Sequence, residues 1–78
     1  MYMLRCRDGS LYTGITNDLP RRLLRHRAGR ASAYTRARLP VRLVYRESQA
    51  DRPAALRREA ALRRLSRAAK LALVRRPR

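Results

Sequence analysis

The first fifteen residues alternate short apolar runs with turn formers in a way that predicts a β-hairpin. Residues 2–6 and 10–15 are the two candidate strands, and Asp8-Gly9 between them is a strong hairpin turn signal. An even number of residues separates Tyr2 from Tyr12, with the turn near the middle. We therefore expect the two rings side by side on one face of the sheet. An ordinary cross-strand aromatic pair and a functional site both fit this placement.

Helical spacing replaces the alternation further along and predicts a first helix over residues 19–28. Asn17 and Asp18 precede it, and their short side-chain oxygens are suited to capping the free N–H groups of a first helical turn. Residues 30–40 show no apolar period. We predict an irregular basic loop there that contains Tyr34.

The second half of the chain predicts one strand followed by two helices. Residues 41–46 alternate apolar and polar side chains and form the third candidate strand. A second helix is expected over residues 51–65, and Ser66 is a suitable N-cap for a short last helix. The basic tail at 75–78 is predicted to be disordered. The order ββαβαα indicates one small α+β domain over residues 1–78, with a three-stranded antiparallel sheet flanked by helices.

Charge is the most unusual feature of the composition. Lys plus Arg number 21 against 5 Asp plus Glu, for a formal net charge of +16, and every basic residue except Lys70 is arginine. Such a surface attracts a polyanion and makes its binding depend strongly on salt. We therefore expect nucleic acid as the partner, with an anionic membrane surface or an acidic protein as alternatives. A GC-rich genome would also enrich arginine without a functional cause.

Two further features bear on the compartment. No stretch approaches the ~20 apolar residues of a membrane span, and Arg5 and Arg7 interrupt the N-terminus where a signal peptide would be apolar. Cys6 is the single cysteine, so it forms no internal disulfide. We expect a cytoplasmic protein in reducing surroundings, without membrane association.

Arg22 and His26 lie four residues apart on the first predicted helix and therefore share one of its faces. A histidine with its ordinary pKa near ~6.5 can transfer a proton at cellular pH, although a lone histidine is more often a capped or half-buried ring. Gly14, shortly before the helix, allows another group to approach the backbone closely. An arginine on a small basic helix is usually solvated charge, so both interpretations of this face stay open.

Glu59 is one of two glutamates in the chain and lies within a run of arginines. It is three residues from both Leu56 and Leu62, so it borders the apolar stripe of the second long helix. One interpretation is a local ion pair with Arg63, worth roughly 0.3–0.5 kcal/mol. The other is a carboxylate that faces the sheet and holds a hard divalent cation, with water completing the octahedron. Periodicity does not decide between them.

These positions together resemble the GIY-YIG nuclease family, and most closely its small stand-alone branch, the UPF0213 proteins. Tyr12-Thr13-Gly14 stands where the family has its Tyr-Ile-Gly motif, and Tyr2 stands at the tyrosine of the first motif. Arg22 matches the family's catalytic arginine, and His26 matches a histidine found one turn later. Glu59 matches the metal-binding glutamate. The similarity covers nearly the entire chain.

The resemblance implies hydrolysis of a phosphodiester bond in nucleic acid with one divalent cation, Mg²⁺ or Mn²⁺. We expect the substrate to be DNA. Tyr2 would act as the general base or orient the attacking water, Tyr12 would support it, and Arg22 would bind the phosphate. Glu59 would hold the metal, and His26 would share the proton transfer. Because a tyrosine with a pKa near ~10 is a poor base at neutral pH, the cation and nearby arginines would have to stabilise its phenolate. Further nucleic-acid contacts are expected from basic side chains on and after the first helix, namely Arg21, Arg25, Arg30, Arg36 and Arg38.

Two departures from the family pattern keep a second function in view. Met1 precedes Tyr2 directly, so the Gly-Ile of the first motif is missing, and an in-frame extension upstream would restore it. The late asparagine of larger members has no counterpart, since Asn17 is the only asparagine. Both departures favour a nucleic-acid-binding module with little or no turnover, whereas the joint presence of the other motif residues favours the enzyme. A ribosome- or RNA-associated protein would explain the charge but not Glu59. A protein partner that targets the domain is left open.

Overall fold

The protein is described by a computed structural model that covers residues 1–75. Its elements follow one another as two strands, two helices, a third strand and two further helices: β1 (Tyr2–Arg5), β2 (Leu11–Gly14), α1 (Leu19–Arg27), α2 (Ala33–Arg36), β3 (Arg42–Arg46), α3 (Arg52–Arg63) and α4 (Arg67–Val74). The α+β class and the order ββαβαα are confirmed. The four-residue helix α2 is an addition, because it lies in the segment predicted to be an irregular loop. Most of the tail predicted to be disordered, residues 76–78, lies outside the described residues.

The sheet is antiparallel throughout, with the strand order β2-β1-β3. The first strand is therefore the central one. Tyr2, Met3 and Leu4 are each at most 1% exposed, because successive side chains of β1 point to opposite faces and both faces are covered. One core cluster joins Tyr2 and Leu4 to Cys6 and Val41.

The hairpin between β1 and β2 closes through a three-residue loop, Arg7 to Gly9. The amide of Gly9 donates to the Cys6 carbonyl at 2.9 Å, and Gly9 has a φ of +84°, a left-handed conformation that glycine adopts without strain. This loop length sets the register. Tyr2 lies across from Gly14, and Tyr12 lies across from Leu4. The two tyrosines therefore share a face, as expected, but as diagonal neighbours rather than as a directly opposed pair.

Each helix begins at a residue whose side chain caps it. Asp18, Ser32, Asp51 and Ser66 each accept a hydrogen bond from the backbone N–H three residues later. A cap of this kind stabilises a helix by about 1 kcal/mol, which matters most for short helices. The caps at Asp18 and Ser66 agree with the sequence-based expectation. The cap at Ser32 explains why α2 forms in a segment that lacks an apolar period.

A polar cluster around Glu47 ties α3 to the end of β3. The Glu47 carboxylate accepts hydrogen bonds from Arg58 at 2.8 and 3.1 Å, from Gln49 at 2.7 Å and from the Tyr45 hydroxyl. Arg58 is the main reason why the pKa of Glu47 falls to about 2. Because Glu59 follows Arg58 in the chain, this cluster orients the part of α3 that carries it. Within residues 1–75, no helix is long and apolar enough to cross a membrane.

Candidate active site

The ring of Tyr2 lies directly over the backbone of Gly14. A Cβ atom placed on Gly14 would come within 2.6 Å of the Tyr2 ring and hydroxyl, far closer than side chains pack. The sequence predicted that Gly14 would admit a close approach, and the approaching group is Tyr2 itself. Glycine at this position therefore makes room for a buried tyrosine hydroxyl at the edge of the sheet.

Four rings form a cluster around this hydroxyl. The centroid of Tyr2 is 6.5 Å from that of Tyr12 and 5.7 Å from that of His26, and Tyr12 and His26 are 5.2 Å apart. Tyr34 of α2 stacks on the outer side at 6.0 Å from Tyr12. The hairpin supplies both tyrosines of the motif, and α1 supplies the histidine. Edge-to-face and tilted contacts of this kind stabilise an aromatic cluster beyond the area it buries.

His26 is fully buried and hydrogen-bonded through both ring nitrogens. Its Nε2 lies 2.7 Å from the Tyr2 hydroxyl, and its Nδ1 lies 2.9 Å from Oγ1 of Thr35. Burial, followed by the positive charge of Arg22, lowers the pKa of His26 below its ordinary value. The imidazole is therefore neutral at neutral pH, and one of its two nitrogens carries no hydrogen and can accept a proton.

The surroundings of Tyr2 bear on the condition that a cation and nearby arginines stabilise its phenolate. With protein groups alone, burial raises the pKa of Tyr2 and outweighs the opposing effect of Arg22. The charges of Tyr12 and Glu59 raise it further. The Tyr2 hydroxyl is thus protonated at neutral pH, and the group that can take its proton is the histidine beside it.

Arg22 places its guanidinium beside the phenols of Tyr2 and Tyr12. Its interaction with the Tyr2 hydroxyl is the main reason why the pKa of Arg22 is raised, so the side chain stays charged. Its Nε is buried and has no hydrogen-bond partner among residues 1–75. A buried donor of a charged group normally has an acceptor. An anion is the chemistry that would satisfy this nitrogen.

Glu59 approaches the site from α3. Its carboxylate is 17% exposed and forms an ion pair with Arg63 at 3.5 Å, so the local salt bridge considered from the sequence is present. The charge of the same carboxylate makes the smallest of the contributions that raise the pKa of Tyr2. Among the described residues, no group of three or more His, Cys, Asp or Glu side chains could hold a metal ion. A cation at this site would therefore depend on Glu59 and water, and the metal role of Glu59 stays a prediction.

Comparison with known proteins identifies this arrangement. Residues 1–72 match the model of the GIY-YIG catalytic domain. The chain belongs to the GIY-YIG family. It is 53% identical over 74 residues to a UPF0213 protein of Streptococcus sanguinis, a match that covers 95% of this chain and 85% of that protein. A UPF0213 protein of Streptococcus agalactiae is 49% identical over 74 residues, covering 95% and 84% of the two chains.

A solved structure supports the same assignment. The solution NMR structure of the UPF0213 protein BH0048 from Bacillus halodurans superposes with a TM-score of 0.60 at 44% identity, covering 94% of this chain and 78% of that one. The predicted family and fold are thereby confirmed. Membership places the chain in a nuclease family, while the names of these relatives specify no substrate, metal or reaction.

A basic surface adjoins the motif residues of this GIY-YIG domain. Arg21 and Arg25 line a shallow cleft of about 280 Å³ together with Arg22 and the loop that precedes α1. Arg25 also donates to the backbone carbonyl of Arg30 at 3.3 Å, which links the cleft to the loop that follows α1. Arg36 is exposed on α2. Four of the five arginines predicted to contact nucleic acid therefore lie on α1, on α2 or between them.

Arg38 is bound differently from the other four. Its Nε donates to Asp8 at 3.1 Å, its Nη1 donates to the Tyr34 carbonyl at 3.0 Å, and its guanidinium carbon lies 3.8 Å from the centroid of the Tyr34 ring. These contacts fasten the end of α2 to the hairpin loop. The side chain is thus held in a structural role in the GIY-YIG fold.

Sequence reasoning missed Thr35 as a member of the site. It is fully buried and contacts His26 directly. The available signal was its spacing from Ser32, since a serine and a residue three positions later are typical of a helix start. That signal predicts α2, but it does not show that Thr35 faces the histidine.

Proposed function

We propose that this GIY-YIG domain is a metal-dependent endonuclease that hydrolyses phosphodiester bonds in DNA. The observation that carries the proposal is the buried hydrogen bond between Tyr2 and His26 beside the unpaired Nε of Arg22. Hydrolysis of a phosphodiester needs an activated water and a cationic group at the phosphate. These three side chains supply both functions in one place.

Arg22 is the group proposed to bind the scissile phosphate. Its permanent charge and its unpaired, buried Nε suit a phosphate oxygen better than water. Its neighbourhood is partly dehydrated, so its attraction for the phosphate is stronger than in bulk solvent. Because charge builds on the phosphate oxygens during attack, this interaction strengthens toward the transition state.

Tyr2 and His26 are proposed to activate the water as a pair. The Tyr2 hydroxyl donates its hydrogen to Nε2, which leaves a lone pair on the phenol oxygen to accept a hydrogen bond from the water. As the water oxygen bonds to phosphorus, its proton passes to the phenol oxygen and the phenol proton passes to Nε2. The bond from phosphorus to the leaving oxygen breaks, and that oxygen takes a proton from solvent. The raised pKa of Tyr2 is compatible with this scheme because no free phenolate has to form beforehand.

Glu59 is proposed to hold one Mg²⁺ or Mn²⁺ ion. A single partly exposed carboxylate fits a cation that usually keeps several of its waters, and no other acidic side chain is required. Arg63 is 61% exposed, so its ion pair with Glu59 is weak and exchangeable. The metal would supply positive charge near the leaving oxygen.

The arginines on α1 and α2 are proposed to bind the flanking phosphates. The charge of +16 and the cleft beside Arg22 both favour a phosphate backbone as the ligand. Contacts of this kind hold the strand in register without reading its bases. We therefore expect little sequence preference. Arg38 is left out of this interface because Asp8 and Tyr34 already engage it.

A binding module with little turnover is the second candidate, and a specific observation favours it. Burial raises the pKa of Tyr2 and lowers that of His26, and both shifts oppose transfer of a proton from the phenol to the imidazole. The basic surface would still bind nucleic acid. The same side chains would then recognise a phosphate without cleaving it.

A plasmid-nicking assay separates the two candidates. The purified protein is incubated with supercoiled DNA in Mg²⁺, in Mn²⁺ and in EDTA, and binding is measured in parallel at several salt concentrations. An endonuclease nicks in at least one metal and not in EDTA. Tight, salt-sensitive binding without nicking in either metal would establish the binding module instead.

A further inference from the structure

We infer that Thr35 is a positioning residue whose hydroxyl holds His26 in the tautomer that accepts a proton from Tyr2. The consequence for catalysis rests on the proposed function. The tautomer itself is a property of the folded chain and can be measured without any substrate.

The far end of the hydrogen-bond chain offers two acceptors for the Thr35 hydroxyl. Oγ1 of Thr35 lies 2.9 Å from Nδ1 of His26, 3.3 Å from the Ser32 hydroxyl and 3.4 Å from the Ser32 backbone carbonyl. When the Thr35 hydrogen is directed to Ser32, the hydroxyl oxygen accepts from Nδ1–H. In a neutral imidazole this leaves Nε2 without a hydrogen, facing the Tyr2 hydroxyl at 2.7 Å.

The near end of the chain requires the same direction. The charged neighbour that most affects Tyr2 is Arg22, and a guanidinium offers only donors. The Tyr2 hydrogen therefore has Nε2 of His26 as its acceptor. If the chain ran the other way, Nε2–H would face the phenol, and the phenol hydrogen would lack an acceptor among the described residues.

Burial makes this arrangement costly to reverse. His26 and Thr35 are fully buried, so bulk water cannot replace a missing partner of the imidazole or of the Thr35 hydroxyl. A buried polar group left unpaired costs about 1–3 kcal/mol. Free histidine in water favours the opposite tautomer, with the hydrogen on Nε2. The protein must therefore impose the tautomer, and the Thr35 hydroxyl is the group in contact with Nδ1.

The short helix α2 is anchored in a way that suits this task. The Thr35 amide donates to the Ser32 side chain at 3.1 Å, which begins the helix. At its other end, the Arg38 amide donates to the Thr35 carbonyl, and the Arg38 carbonyl accepts from the Arg7 amide, both at 3.0 Å. Asp8 holds the Arg38 side chain. A four-residue helix that buries little else is thus fixed at both ends around Thr35.

The test is the tautomer of His26, measured by NMR through the imidazole ¹⁵N shifts and their couplings to the ring protons. His26 is the only histidine in the chain, so its signals need no assignment. Thr35→Val removes the hydroxyl at nearly constant shape, Thr35→Ser retains it, and Thr13→Val is the matched control. Thr13 is also buried, but its Oγ1 has no hydrogen-bond partner among residues 1–75.

We expect the Nδ1–H tautomer in the wild type, in Thr35→Ser and in Thr13→Val, and a shift toward Nε2–H in Thr35→Val. A wild-type spectrum that shows Nε2–H would overturn the inference by itself, even if Thr35→Val did not fold. An unchanged tautomer in a folded Thr35→Val protein would also overturn it.

Turnover gives a second readout. If the domain is a nuclease, Thr35→Val should lower kcat about tenfold or more at constant KM, and Thr35→Ser should restore most of it, since general base catalysis depends on the accepting nitrogen. Equal losses in the serine and valine variants would show that packing, not the hydroxyl, matters. A wild type with the expected tautomer and no nuclease activity would refute the proposed function and leave the positioning role intact.

Discussion

The sheet side of the candidate site is buried and neutral, whereas the α3 side is partly exposed and ionic. Tyr2 and His26 are at most 1% exposed and are joined by a hydrogen bond of 2.7 Å. Glu59 and Arg63 are 17% and 61% exposed and are joined by a longer ion pair of 3.5 Å. Buried hydrogen bonds resist salt and fix direction, while exposed ion pairs are screened and exchange partners.

This difference suits the mechanism proposed above. The proposed proton transfer needs atoms that stay in place, which the central strand and the first helix provide. The proposed uptake of a cation requires the carboxylate to release its protein partner, which a weak ion pair on a surface helix allows.

Removing the Glu59 charge should abolish cleavage without weakening binding. Glu59→Gln keeps the size of the side chain but cannot hold a divalent cation. We expect the nicking rate to fall by about a hundredfold or more, because metal charge stabilisation is worth several kcal/mol. Affinity for DNA should stay constant or rise, since a negative charge leaves a phosphate-facing surface.

Arg63→Ala is the matched control for that variant. It breaks the same ion pair but keeps the carboxylate, so it should cleave at close to the wild-type rate. Nicking by Glu59→Gln at the wild-type rate would show that Glu59 is only the ion-pair partner of Arg63.

Arg22→Ala should lower both turnover and affinity. The larger loss is expected in kcat, by about 10²–10³-fold, which is typical when one charge-stabilising donor is removed. Rates and anisotropy titrations would separate the two effects. Arg21→Ala, on the exposed side of the same helix, should weaken binding alone. If Arg22→Ala behaved like Arg21→Ala, Arg22 would be an ordinary backbone contact.

Gly14→Ala tests the close packing on the buried side. The added Cβ would meet the Tyr2 ring at 2.6 Å, and we expect about 1–3 kcal/mol of lost stability in urea unfolding, typical of an overpacked core. Gly9→Ala is the comparison, since it strains a left-handed turn at about 1–2 kcal/mol but lies away from the site. Both should lower stability, and only Gly14→Ala should lower activity measured on folded protein. Full activity in a stable Gly14→Ala protein would contradict the packing described for Tyr2.

Low pH should weaken the ion pair between Glu47 and Arg58, which orients α3. The pKa of Glu47 is lowered from 4.5 to about 2 in the folded state, chiefly by Arg58. A depressed carboxyl pKa contributes stability above pH 4.5 that is lost as the pH falls toward 2. Because Arg58 is 39% exposed, we expect roughly 1–2 kcal/mol. The free energies of unfolding of wild type and Glu47→Gln should differ at pH 6 and converge near pH 2. A difference that does not change with pH would show that the Glu47–Arg58 ion pair does not stabilise the fold in this way.

Salt dependence should distinguish arginines that have no acidic partner among residues 1–75 from Arg38, which pairs with Asp8. Replacing Arg21 and Arg25 together by alanine should reduce the slope of log K against log salt by about 1–2, since each phosphate contact contributes close to 0.9. Arg38→Ala should leave the slope nearly unchanged, because Asp8 already neutralises its charge. Equal reductions in both proteins would place Arg38 in the interface as well.

Much of the fold was determined locally and was visible in the sequence. The capping oxygens of Asp18 and Ser66, the apolar spacing of the helices and the turn formers of the hairpin act over a few residues, so their consequences could be predicted. The candidate side chains were named on the same basis, and the family resemblance then gave each of them a role.

The tertiary structure decided what depends on distant partners. The three-residue hairpin loop set a register in which Tyr2 lies across from Gly14, and that register brought its hydroxyl to His26. Thr35 contacts the same histidine from α2, a helix that the apolar periodicity of the sequence does not predict. Burial raises the pKa of Tyr2 against the opposing effect of Arg22, because desolvation depends on all the surrounding chain and not on one neighbouring arginine. Which groups could do the chemistry and where the helices begin could be predicted from the sequence, since those are short-range properties. The protonation states and the direction of the hydrogen-bond chain depend on the packed interior, so only the tertiary structure decided them.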